Sequence, residues 1–156
     1  MPQRIEDLDT PVLLLDGPAC DRNLARAAQG TAGSAARLRP HFKNHKCVAL
    51  AKRQLAAGGC VGVTTAKLGE AEVLVDAGFG DLLVANQVVG AAKVQRLTKA
   101  NERALVRVAV DSIDNARPIA DAAAERGLTI GVLLEVDVGM GRCGVEPGEQ
   151  IGRAHV

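Results

Sequence analysis

Two short segments carry most of the residues whose types and spacing suit chemistry. The first is Arg39-Pro40-His41-Phe42-Lys43-Asn44-His45-Lys46. Read as a strand, alternate residues share a face. Arg39, His41, Lys43 and His45 then lie together, with Leu38, Pro40 and Phe42 on the other side. If Phe42 packs outward on helices, Lys43 points inward among basic neighbours. Burial disfavours an ammonium ion and nearby positive charge disfavours it further. Such a lysine is a neutral amine, able to attack an aldehyde and form a Schiff base. Lys46, beyond the strand end, is expected in solvent at the start of a helix. Taken alone, a lysine at a strand end is most often a surface residue. His41, His45 and Cys47 are also of the types that bind zinc. The two histidines, however, sit on a strand-to-loop segment rather than on one helix face, which argues against a metal held by this cluster.

The second segment is Glu135-Val136-Asp137-Val138-Gly139-Met140-Gly141-Arg142-Cys143-Gly144. Gly139, Gly141 and Gly144 spell G-x-G-x-x-G after a strand, a pattern known from dinucleotide-binding folds. That fingerprint should open a helix, whereas Val145-Glu146-Pro147-Gly148 interrupts at once, and the pattern falls late in the chain rather than after the first strand. A tight loop that lets Arg142 approach an anionic oxygen fits better, because arginine keeps its charge and donates in a fixed geometry. The plain alternative is a turn with a solvated Arg142.

Positioning these segments requires elements that the sequence outlines. An extended run, Pro11 to Leu15, precedes a helix capped by Asp16 with Pro18 in its first turn, running to about Gln29. A strand is expected from Arg37 to Lys43, and a helix from Lys46 to Ala57 that stops at Gly58-Gly59. Strands then follow at Cys60–Ala66, Asp81–Asn86, Leu105–Val110 and Thr129–Val138. Between them lie helices at Leu68–Ala77, Gly90–Ala100 and Ile113–Arg126, the last containing Pro118, which is expected to kink it or mark a late start. Near-continuous apolar strands alternating with helices imply a parallel sheet.

Polar residues choose between parallel architectures. Successive strands end in Lys43, Thr64 and Thr65, Asn86 and Gln87, Asp111, and Glu135 and Asp137. A (β/α)8 barrel gathers all strand C-termini around one mouth, whereas an open doubly wound sheet concentrates its chemistry at one switch point. The expected fold class is therefore α/β, a partial (β/α)8 TIM barrel with about five βα units, since a closed barrel takes roughly 250 residues. Residues 1–150 are expected to be the front part of that barrel. Residues 151–156 resemble the translation of a sequencing adapter and are set aside as a non-native tail.

Composition removes other classes. A net charge of +1 offers no electrostatic reason to bind nucleic acid or a membrane surface. No apolar run approaches the ~18 residues of a membrane span, and the polar start, with Arg4, Glu6, Asp7 and Asp9, carries no apolar signal region. A cytoplasmic location is expected. Cys20, Cys47, Cys60 and Cys143 form no C-x-x-C pair and read as reduced thiols.

Taken together, Asp9-Thr10-Pro11, the Arg39–Lys46 string, Gly69-Glu70-Ala71, Ala85-Asn86-Gln87 and the Asp137–Gly144 string resemble the D-threonine aldolase and D-serine dehydratase family, which has a barrel of the alanine-racemase type. The resemblance runs from about Asp9 to Gly148 and implies a lyase dependent on pyridoxal 5'-phosphate. In that family the first lysine of the string, here Lys43, holds the cofactor. The arginine of the glycine-rich string, here Arg142, contacts its phenolic oxygen. Gln87, His41 and Asp137 are expected to line the pocket. A divalent metal is implied as well, with ligands outside this chain, as are a small D-amino acid substrate and a homodimer. The chemistry implied is cleavage of a D-3-hydroxy amino acid such as D-threonine to glycine and acetaldehyde. Dehydration of D-serine, racemisation and non-catalytic handling of the cofactor are the alternatives. The piece by itself is expected to be inactive.

Overall fold

In the computed structural model, which describes residues 4–148, four apolar runs pair side by side as parallel strands. They are β1 (Val63–Thr65), β2 (Asp81–Gln87), β3 (Leu105–Val110) and β4 (Val132–Leu134), and their order in the sheet is their order in the chain. Helix α1 (Gly17–Gln29) and helix α2 (Val48–Ala56) precede the sheet, and α3 (Leu68–Asp76), α4 (Ala91–Asn101) and α5 (Ile113–Ala124) connect its strands. A sheet that adds each new strand on the same side never reverses, so it has no switch point and curls toward a barrel.

The two faces differ in composition. Val63, Thr65, Leu82, Val84, Val106 and Val108 are fully buried and share one core with Leu74 and Leu97 of the connecting helices. Their strand neighbours Thr64, Leu83 and Arg107 point the other way and are only half-buried. One face is thus a packed core, and the other is the inner wall of an incomplete barrel. Local signals placed the helices well. The Asp16 carboxylate accepts from Ala19 N at 2.8 Å, and the Ser112 hydroxyl accepts from Asn115 N at 3.1 Å. Helix α5 runs unbroken through Pro118, which is exposed, so the carbonyl left without a helical N–H partner can turn to water.

At the front edge, Val12 to Leu15 form no helix and pair with no strand among the described residues, and Leu13 is 100% exposed. The strand expected from Arg37 to Lys43 is reduced to two isolated parallel bridges, Leu38 with Cys60 and His41 with Thr64. After His41 the chain turns into a 3-10 turn, Phe42–Asn44. The tail expected to be non-native, residues 151–156, lies outside the described residues.

Arg39 is not a neighbour of Lys43 either. Its guanidinium donates to the Asp81 carboxylate at 2.7 Å, at the N-terminal end of β2, where Arg107 also donates at 2.6 Å. Gly62 sits so close to Arg39 and to the Asp81 carbonyl that a Cβ there would collide with both. The cation meant to depress the Lys43 amine is therefore consumed in an ion cluster at the opposite end of the sheet.

Candidate active site at the C-terminal ends of the strands

Lys43 is delivered by a turn braced on both sides. The His41 ring nitrogen Nδ1 accepts from Lys43 N at 3.3 Å, and Lys46 N donates back to the Phe42 carbonyl at 2.8 Å. Phe42 is buried in the helix-side core, as its expected outward packing requires, and meets the His45 ring edge-on with centroids 5.5 Å apart. His45 is fully engaged: Nδ1 accepts from Cys47 N at 3.0 Å, and Nε2 lies 3.1 Å from Gln54 Oε1. An Nδ1 that accepts an amide hydrogen leaves the proton of a neutral ring on Nε2, facing the Gln54 oxygen. Neither nitrogen of His45 is then open to a metal. Lys46 adopts a left-handed conformation, with φ 47°, and its ammonium lies 3.5 Å from the Glu70 carboxylate. Glu70 in turn accepts from Ala66 N at 2.8 Å, which ties the lysine loop to the end of β1.

Lys43 itself is exposed. The expectation of a lysine buried among strands is not met by these residues, because the 3-10 turn lifts it off the strand line and the inner wall beside it is open. His41 is half-buried. Burial, with the Lys43 charge beside it, holds its imidazole below the ordinary value of 6.5, against opposing pulls from Glu70 and the Thr64 backbone.

At the end of β2 the pairing with β3 slips. Val84 pairs with Val108, but the next partner, Ala109, faces Gln87 rather than Ala85. The slip is a bulge, which re-aims the side chain that follows it. Asn86 stabilises it: its amide nitrogen reaches the Ala66 carbonyl at 3.4 Å and its oxygen accepts from Gln87 N at 3.0 Å. Gln87 then extends over β3 and donates through Nε2 to Glu135 Oε2 at 2.6 Å.

The glycine-rich loop folds on Asp137. Its carboxylate accepts from Gly139 N at 2.9 Å and from Gly141 N, with the shorter of two contacts at 2.9 Å. Hydrogen bonds from the Gly141 amide, then the Gly139 amide, hold this carboxyl below its ordinary value. The loop closes by a parallel bridge between Val136 and Val145 instead of opening a helix. Gly144 N donates to Asp111 at the end of β3, 3.3 Å away. A Cβ on Gly144 would stand 2.6 Å from Asp137 N, so the loop can close this tightly only on glycine. Arg142, at the tip, is exposed.

The strands are parallel, so Lys43 beyond the first bridge, Gln87 at the end of β2, and Arg142 in the loop after β4 arrive at one end of the sheet. His41 stands beside them. Asp137, expected to line the pocket, spends its carboxylate on its own loop. Sequence reading marked Glu135 and Asp111 only as polar strand ends and named Glu70 only within a matching string. Their partners are far away in the chain, and no local signal shows them.

A family model described as alanine racemase, N-terminal domain, matches residues 15–155. The chain belongs to this family. It is 44% identical over 139 residues to a D-threonine aldolase of an Arthrobacter species, an alignment covering 88% of this chain and 36% of that protein. It is 38% identical over 146 residues to a 3-hydroxy-D-aspartate aldolase of Paracoccus denitrificans, covering 93% of this chain and 38% of that protein. Its structure superimposes on the crystal structure of D-threonine aldolase from Filomicrobium marinum with a TM-score of 0.92 and 46% identity, covering 96% of this chain and 40% of the other. The chain thus spans well under half the length of the relatives it matches. A more distant alanine racemase of Clostridium difficile, at 20% identity with a TM-score of 0.68, shares the fold. The fold expected from the sequence, part of an alanine-racemase-type barrel, is the one found.

Proposed function

We propose that this chain is the front of a pyridoxal-phosphate-dependent lyase that cleaves D-3-hydroxy amino acids, with Lys43 holding the cofactor and Arg142 facing its anionic ring oxygen. The observation that carries the reading is the convergence of these two cations on one end of a parallel sheet, each on a separately braced loop. The residues present fit the group. An amine at the rim can condense with an aldehyde, and a guanidinium can pair with a phenolate. Gln87 and His41 lie toward the same end of the parallel sheet and would line the same space. The likeness to aldolases acting on D-threonine and 3-hydroxy-D-aspartate supports the substrate class.

When bound, the cofactor supplies a sink for the electrons released as a bond at the substrate Cα breaks. The protein's share is binding and positioning. Lys43, on the 3-10 turn at the rim, would hold the cofactor through its amine. His41, with Nδ1 turned to Lys43 N, fixes the direction from which the lysine enters. Arg142 would orient the ring by pairing with its anionic oxygen. Asp137 holds the arginine loop closed. No group of three or more metal-ligating residues exists among the described residues. The resemblance implies a divalent metal with ligands outside this chain, and no step above passes through it.

The test uses the intact protein. Added pyridoxal phosphate should give the long-wavelength absorbance of protein-bound cofactor, and Lys43→Ala should lose it. Borohydride reduction followed by peptide mapping should find the cofactor on residue 43. Glycine and an aldehyde from D-threonine mark the aldolase, whereas a keto acid and ammonia from a D-3-hydroxy amino acid mark the dehydratase. Unchanged cofactor absorbance in Lys43→Ala would refute the assignment.

A further inference from the structure

The Gln87–Glu135 bond has no place in the chemistry above, yet the chain departs from regular strand geometry to make it. Two features converge on it. The β2 bulge skips Ala85 and Asn86 in the pairing with β3, and that slip brings Gln87 opposite Ala109. Asn86 then braces the bulge from both sides. The resulting bond, 2.6 Å from Gln87 Nε2 to Glu135 Oε2, joins residues 48 apart and passes over an intervening strand. Bulges of this kind are features that re-aim a side chain, and a hydrogen bond to a carboxylate is among the stronger ones.

Glu135 is also the foot of the arginine loop. Its amide donates to the Val110 carbonyl at 2.9 Å, fixing it to the end of β3. Its own carbonyl accepts from Val145 N at 2.9 Å, the first rung of the bridge that closes the loop. One residue therefore holds the end of β3 and the return of the loop through its backbone, and the bulge of β2 through its side chain.

We propose that Glu135 is a positioning residue: with Gln87 it forms a strut across the barrel mouth that sets the height and direction of the loop carrying Arg142. The role assigned to Arg142 rests on the proposed function, but the strut does not. Glu135 acts as a hydrogen-bond acceptor. A glutamine can accept the same bond through its side-chain oxygen, an alanine cannot, and loss of either partner removes the whole strut.

The experiment compares Gln87→Ala, Glu135→Ala, Glu135→Gln and the double alanine variant of the intact protein by two readouts. The first is amide exchange at Gly141, Gly144 and Val145, which needs no cofactor. The second is affinity for pyridoxal phosphate, followed by absorbance at constant Tm. Each single alanine variant should speed exchange at these amides and weaken pyridoxal phosphate by about tenfold, the effect of losing one hydrogen bond to a charged group. The double variant should be no worse than either single one, and Glu135→Gln should restore both readouts. Unchanged loop exchange in Glu135→Ala, multiplying effects in the double variant, or failure of Glu135→Gln to rescue would each overturn the strut. If the unsubstituted protein binds no pyridoxal phosphate, the cofactor reading fails, while the exchange data still decide on the strut.

Discussion

Gly144→Ala should open the arginine loop, and a second glycine in the same loop supplies the control. Gly144 has φ +102°, and a Cβ built on it would lie 2.6 Å from Asp137 N, 2.8 Å from Val136 C and 3.1 Å from Glu135 O. All three are backbone atoms of the bridge that closes the loop, so none can swing aside as a side-chain tip would. Gly139 has φ +115°, a similar torsion, with nothing within 4 Å of a built Cβ. Alanine at Gly139 therefore incurs the torsional cost alone, about 1–3 kcal/mol for a residue held in a sparsely populated region. Alanine at Gly144 incurs that cost and the crowding, which for inserted atoms in a packed site is about 1–3 kcal/mol more. The difference between the two variants is the crowding, equal to about five- to 150-fold in the equilibrium for loop opening. Native-state amide exchange at Val145, whose N–H bonds Glu135, reads that equilibrium directly. If Gly144→Ala exchanges no faster than Gly139→Ala, the close approach at Gly144 does not hold the loop and the argument fails.

Other consequences are accessible to similar measurements. The Asp137 carboxyl is held below its ordinary value of 3.8. Its contribution is present above that pH and is lost as pH falls through the lower, folded-state value. Loop amides of the native protein should lose protection at acid pH, and Asp137→Asn should start less protected and show little of that dependence. His41 is held below 6.5, so the folded state favours the neutral ring; stability is full above 6.5 and declines as pH falls through the folded-state value. An NMR titration of His41 should give a midpoint below 6.5, and His41→Gln should flatten the stability profile in that range; a midpoint at or above 6.5 would contradict the geometry at Lys43 N. Leu74→Ala, at a fully buried position in the core behind the sheet, should lower unfolding free energy by about 3–5 kcal/mol in urea titrations.

The positions of the elements follow from short-range chemistry, and the sequence therefore determined them. Asp16 and Ser112 cap their helices because a side-chain oxygen reaches an amide three residues on. Gly58, Gly78 and Gly127 follow helices α2, α3 and α5 with positive φ, as glycine permits at little cost. The β3 strand, Leu105 to Val110, was legible to the residue because a run buried on the helix side and flanked by polar residues has only one register. That polar residues end successive strands was enough to place a mouth at the C-terminal end of the sheet.

Tertiary structure decided what depends on contacts between distant residues. Period-two alternation put Lys43 on a strand face with Arg39, but the His41 side chain captures Lys43 N and winds the chain into a 3-10 turn, while Arg39 is drawn to Asp81, 42 residues away. Pro11 to Leu15 has the composition of a strand, yet a strand needs a neighbour to pair with, and among the described residues it finds none. Gln87 and Glu135 look like two unrelated polar strand ends until a bulge, invisible in composition, turns one toward the other. Caps and helix spans depend on residues a few positions apart and can be read along the chain. Charge pairing, strand register and the aim of a side chain depend on which strands end up adjacent, and only the assembled sheet fixes that.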